Sequence, residues 1–135
     1  MENVEDKLKI KNNMAKYVDG FVFTVSKKNL PAYRRMAKKA GKLWRKYGAL
    51  EYKECTLNEA RPKYVTFTFP KMTKAKAGET VWFSYIVYRS KKHRNAVNAK
   101  VMKDPYMKSA DPNMVNMPFD MKRMAYGGFR VVVDA

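Results

Sequence analysis

ETVWFSYIVY, residues 79–88, is apolar on both sides of an extended chain. Taken with a period of two, one side carries Val81, Phe83, Tyr85 and Val87, and the other Trp82, Ser84, Ile86 and Tyr88. A strand half in water alternates apolar with polar. This one is therefore expected inside a sheet with a cover on each face, and the identity of the two covers decides the fold.

Working outward, KYVDGFVFTV (16–25) sets Tyr17, Asp19, Phe21 and Phe23 against Val18, Gly20, Val22 and Thr24, a second strand apolar on both faces. NLPAYRRMAKKAGKLWRKYG (29–48) repeats apolar residues every three or four positions, from Leu30 and Tyr33 to Trp44 and Tyr47, with cations opposite. This predicts an amphipathic helix, with Asn29 as N-cap, Pro31 in the first turn and Gly48 past the end. ALEYKECTL (49–57) alternates less cleanly, as an edge strand does. The connection over 58–79 holds Pro62, Pro70 and Gly78, and within it YVTFTF (64–69) predicts an extended arm or extra strand. Ser90 opens a second helix that Asp104-Pro105 stops, and GFRVVVD (128–134) predicts the last strand.

The order β-α-β, β-α-β is the ferredoxin-like, α+β arrangement with a four-stranded antiparallel sheet. Both helices then shield one face. The other face would show aromatics of the first and third strands, too large a patch for a monomer. A second copy covers it with one sequence, which predicts a homodimer, sheet face against sheet face. The enclosed cavity would be lined by Phe21, Phe23, Tyr52, Phe83, Tyr85 and methionines. Residues 16–135 are expected to form this single domain, behind a poorly ordered extension at 1–15 of mixed charge.

Composition narrows the class. With 46% hydrophobic and 30% charged residues, a packed globular protein is favoured over a disordered one. No apolar run has the length to span a bilayer, so no membrane partner is expected, and MENVEDKLKIKNN lacks the apolar core of a secretory signal. Cys55 stands alone, which excludes an internal disulfide and suits the cytoplasm. The formal net charge is +17. It concentrates in residues 27–48, with nine cations and no acid, and residues 89–104, with six cations against one acid.

From KYVDGF to the final VVVDA the chain resembles the YbaA-like family of bacterial proteins of unknown function. The matching words are YVDGF (17–21), AYRRMAKKAGKLWRKYGALEYKEC (32–55), GETVWFSYIVY (78–88), NAVNAKVMKDP (95–105) and MPFDMKRMAYGGF (117–129). The resemblance implies a ferredoxin-like fold of the dimeric α/β-barrel superfamily. It implies no reaction: that superfamily includes cofactor-free monooxygenases, lactone isomerases, haem-degrading enzymes and stress-response proteins. Asn95 departs from the pattern, which commonly has Asp after the arginine.

For chemistry, two polar sets stand out. Asp19, Tyr52, Glu54 and Tyr85 are polar groups on largely apolar strands, and Lys122, Arg123 and Tyr126 enter the last strand from a loop. Together they are the candidate ligand-binding residues, and Asp120 and His93 the candidate proton carriers for a cofactor-free oxidation or isomerisation. His93 otherwise reads as a residue of the helix start without a catalytic task. One His and one Cys cannot close a zinc site. Met114, Met117, Met121 and Met124 recur at copper-like spacing but read as adaptable packing. No metal and no cofactor are expected.

The alternative is nonspecific binding of nucleic acid through Arg34, Arg35, Lys38, Lys39, Lys42 and Arg45 of the first helix and Lys92 of the second. The RNA-recognition fold shares the element order, but its glycine between aromatics on the third strand is missing from TVWFSYIVY. The leading reading is a homodimer that binds a small molecule.

Overall fold

The computed structural model describes residues 15–109 and 120–135, together with Val4. The extension at 1–14 and the methionines Met114 and Met117 lie outside the described residues, apart from Val4. Strands β1 (Tyr17–Ser26), β2 (Glu51–Thr56), β3 (Glu79–Tyr88) and β4 (Ala125–Arg130) form one sheet in the order β2-β3-β1-β4. Every neighbouring pair is antiparallel, and β1 and β3 pair along ten residues from Tyr17–Tyr88 to Ser26–Glu79. This is the expected α+β, ferredoxin-like sheet.

Helices α1 (Leu30–Lys46) and α3 (Lys91–Lys103) pack on one side of it. Their apolar stripes meet the side chains of alternate strand residues in two clusters. One joins Leu43, Ala49, Ile86, Tyr88, Val97 and Val101; the other joins Phe23, Val25, Tyr33, Ala37 and Trp82. The helices are tied to each other by the Trp44 indole N–H, which donates to Asn98 Oδ1 at 3.1 Å. Gly48 takes φ +114 to end α1, a conformation that costs glycine little. Ser90 caps α3 by accepting from the His93 N–H at 3.0 Å. Asn29 does not cap α1 through its side chain, because a 3₁₀ turn over Lys27–Asn29 runs directly into the helix. No helix among the described residues is long and apolar enough to cross a membrane.

Three expectations need correcting. The first concerns the faces. Cross-strand partners share a face, so Phe21, opposite Ser84, and Phe23, opposite Trp82, point toward the helices, as does Tyr52, opposite Ile86. The open face carries Val18, Val22, Val81, Phe83, Tyr85, Val87 and Phe129 instead. Phe21, Phe23 and Tyr52 therefore cannot line one chamber with Phe83 and Tyr85, since the sheet stands between them.

The second correction is that YVTFTF is not a strand. It runs through turns into a short helix, α2 (Phe69–Thr73), with Thr68 accepting from the Lys71 N–H. Thr68-Phe69-Pro70 is a helix start, a cap followed by a proline in the first turn, where its missing N–H costs nothing. Helix α2 lies against β1 and β3, where Thr24, Val81 and Thr73 are buried. It covers one end of the open face.

Third, the last strand sits earlier than predicted. Gly127 opposes Gly20 and Arg130 opposes Tyr17, where β1 begins, so pairing ends with the Val131 N–H on the Lys16 carbonyl. Val132 and Val133 lie beyond and are exposed. A last short helix, α4 (Pro105–Ser109), follows α3, and a 3₁₀ turn over Met121–Arg123 precedes β4.

Candidate functional site

Between α1 and β2 runs an open groove of about 1130 Å³. Its helical wall presents Arg34, Arg35, Lys38, Lys42 and Arg45, which fall on one side of α1 through three- and four-residue spacing. Tyr52, Glu54, Thr56 and Trp82 form the sheet wall. Gly41 allows the close approach of the two walls, since a Cβ there would stand 2.9 Å from the Tyr52 ring.

The groove's acid is Glu54. Its Oε2 accepts from the Tyr33 hydroxyl at 2.8 Å and from the Trp82 indole N–H at 2.7 Å, while its Oε1 accepts from the Tyr52 hydroxyl at 2.8 Å. Burial first, then the Glu54 charge, pushes both tyrosines far above their ordinary range, so they remain donors. A carboxylate offers about four acceptor positions, and three neutral donors leave it one. Arg45 is committed elsewhere, donating to the carbonyls of Ala49 and Leu50. Arg34, Arg35, Lys38 and Lys42 have no carboxylate in ion-pair range among the described residues.

The other candidate residues fall into separate places. Asp19, buried on the helix side, accepts from Arg94 Nη1 and from the Tyr126 hydroxyl, each at 3.0 Å. Arg94 lies over the Tyr17 ring at 5.0 Å, and Tyr126 stacks on Phe21 at 4.9 Å. Burial raises the Asp19 carboxyl above its ordinary value, with Tyr126 and Arg94 opposing that rise. Gly128 is needed here, because a Cβ would overlap the Tyr17 hydroxyl. Tyr85 lies on the open face beside Phe83, 5.7 Å between ring centres.

The expected proton carriers are engaged in local structure. Asp120 accepts from the Lys122 N–H and Arg123 Nε, both at 2.9 Å, and Arg123 holds it below the usual carboxylate range. Lys122 itself is exposed. His93 turns Nδ1 back to accept from the Arg89 N–H at 3.0 Å, and burial with Arg89 nearby lowers its pKa, so the ring is neutral. Lys39 and Lys92 are exposed and do not line the groove.

Arg123 also grips Glu79 through two nitrogens at 2.8 and 2.7 Å. These hydrogen bonds hold the Glu79 carboxyl at about 2, below its ordinary 4.5. A depressed folded-state value contributes stability above the unfolded value that is lost as pH falls through the folded one. The stability gap between the wild type and Glu79→Gln should therefore be full above pH 4.5 and shrink toward pH 2. Urea titrations across that window read it, and a gap that stays constant would refute the pairing.

The structure thus joins Tyr52 and Glu54 to the cations that the sequence placed in a rival class. It adds Tyr33, Trp82 and Arg94, which sequence reasoning missed. Tyr33 and Trp82 look like core aromatics until the register sets their polar tips on Glu54, and Arg94 is one of six cations in its segment.

A family model described as "Protein of unknown function (DUF1428)" matches residues 16–121. The "Uncharacterized protein YbaA" of Escherichia coli strain K12 is 46% identical over 119 residues, which cover 88% of this chain and 98% of that protein. The protein of the same name from Shigella flexneri matches with the same figures.

Proposed function

The chain belongs to the DUF1428 family of proteins of unknown function, and from the chemistry of the groove we propose that it binds a small acidic molecule between α1 and β2. The observation that carries this reading is the asymmetry of the two walls. Four cations without a carboxylate partner among the described residues face a glutamate held by neutral donors. An anionic group satisfies the helical wall, and a hydroxyl or amine on the same molecule takes the acceptor position left on Glu54. Tyr52 and Trp82 give the ligand an apolar bed.

The binding unit is a homodimer joined through the open sheet face. Phe83 and Phe129 are 41% and 62% exposed there. Among the described residues of the sheet, the charged side chains on that face are Glu51, Lys53 and Glu79; the first two cancel and Glu79 is neutralised by Arg123. That neutrality matters for a chain of net charge +17, because two copies repel through their basic faces. The exposed, unpaired Cys55 fits a reducing cytoplasm.

Calorimetric titration with citrate, inorganic phosphate and a short DNA duplex at several salt concentrations tests the assignment. At least one small anion should bind, and Arg34→Gln with Lys38→Gln should weaken it about tenfold or more through lost charge-assisted hydrogen bonds. Binding of the duplex alone, with affinity falling steeply as salt rises, would hand the cations to a polyanion and overturn the small-molecule reading.

A further inference from the structure

Residues 57–78 leave the sheet at Leu57 and return at Gly78, with α2 at the far end. The segment is pinned to a definite shape. Lys71 Nζ donates to the Thr66 carbonyl at 2.8 Å, the Thr73 hydroxyl to Phe69 at 2.8 Å, and Arg123 reaches in to the Lys74 carbonyl at 3.0 Å. Yet its large side chains keep much of their surface outside the core of their own chain. Tyr64 is fully exposed at φ 71, Phe67 is 70% exposed, and Val65, Phe69 and Met72 are exposed as well. A held backbone with outward aromatics is an interaction surface.

We infer that this arm is a clasp that grips a second copy of the chain, resting on the homodimer proposed above. Three observations select that partner. The arm is continuous with the open face, because α2 already sits on one end of it against β1 and β3. One two-fold axis that buries Phe83 and Phe129 thus brings both arms against the partner. Area agrees: at about 200 Å² for each aromatic side chain, the exposed fractions of Tyr64, Phe67, Phe69, Phe83 and Phe129 amount to roughly 600 Å². Their aliphatic neighbours bring this near the ~800 Å² per partner of a stable interface.

Charge is the third. Residues 60–78 hold five cations and no acid. Among the described residues outside the groove, the carboxylates that form no ion pair are Glu51, on the open face, and Glu59, at the base of the arm. A second copy therefore offers the arm acidic partners where its apolar surface needs to land.

Sedimentation velocity over a concentration series tests the clasp on the full chain, with circular dichroism confirming that each variant is folded. The variants are Tyr64→Ser with Phe67→Ser on the arm, and Phe83→Asp on the face. The clasp predicts a wild-type dimer whose dissociation constant rises about a hundredfold in the arm variant, as loss of two aromatic anchors does. A wild-type monomer overturns both the clasp and the dimer. A dimer broken by Phe83→Asp but indifferent to the arm variant overturns the clasp alone. Sedimentation unchanged by the arm variant, with wild-type binding to phosphatidylserine vesicles that the variant loses, assigns the arm to a membrane surface and likewise overturns the clasp.

Discussion

Arg94→Met should lower the free energy of unfolding by about 3–4 kcal/mol at neutral pH, the cost of stranding a buried carboxylate without its counter-charge. Asp19 is buried, and the Arg94 side chain is only 15% exposed, so solvent cannot replace the guanidinium. The loss carries a pH signature. Burial already raises the folded-state pKa of Asp19 above 3.8, and removal of Arg94 raises it further. A raised folded value means that the group's contribution is fully present below 3.8 and is lost as pH rises through the folded value. The deficit of the variant should therefore grow from pH 4 toward neutrality. In the double variant Asp19→Asn, Arg94→Met, a neutral amide keeps the Tyr126 contact, and most of the loss should return. Urea titrations at the two pH values decide the matter. A deficit below about 1 kcal/mol, or one indifferent to pH, would mean that Arg94 is a surface cation.

Phe23→Ala should cost a further class of energy, about 3–5 kcal/mol, from lost burial and an unfilled cavity. Phe23 packs in the cluster of Val25, Tyr33, Ala37 and Trp82, with its ring 5.6 Å from that of Tyr33. Because Tyr33 and Trp82 both donate to Glu54, the same cavity should loosen the groove, and affinity for a small anion should fall along with stability. Phe83→Ala on the open face supplies the contrast. It should change subunit stability by about 0.5 kcal/mol or less, with its effect confined to self-association. Urea unfolding over a dilution series, which separates subunit stability from self-association, measures both variants, and a Phe23→Ala loss of subunit stability no larger than that of Phe83→Ala would return Phe23 to a ligand chamber.

Phe23 also shows where reading the sequence stops. Periodicity located β1, β3, α1 and α3 because each has a face that must leave water, and period 2 or 3.6 records that need directly. It also showed that β1 is apolar on both sides. It did not say which side meets the helices, since Phe21 and Phe23 or Val18 and Val22 could serve; only the register with Trp82 and Ser84 decides. The Glu54 site was half visible, as a carboxylate on an apolar strand. Its donors were hidden, because a tyrosine or tryptophan at a core position looks the same whether its polar tip meets a carboxylate or water. YVTFTF misled for a related reason: alternating β-branched and aromatic residues favour extension only where a ladder edge is free to receive them, and here a threonine cap and a proline begin a helix instead.

The strand order has a consequence for synthesis on the ribosome. Among the described residues strand β1 pairs only with β3 and β4, so none of its inter-strand bonds can form until the chain has grown to Glu79, which stands opposite Ser26. At about 5–20 residues per second the residues between them, 27–78, take roughly 3–10 s. Throughout that interval Phe21, Phe23 and Val25 are translated but unsheltered. The nascent basic helix α1 is the one neighbour already made that can lie across them.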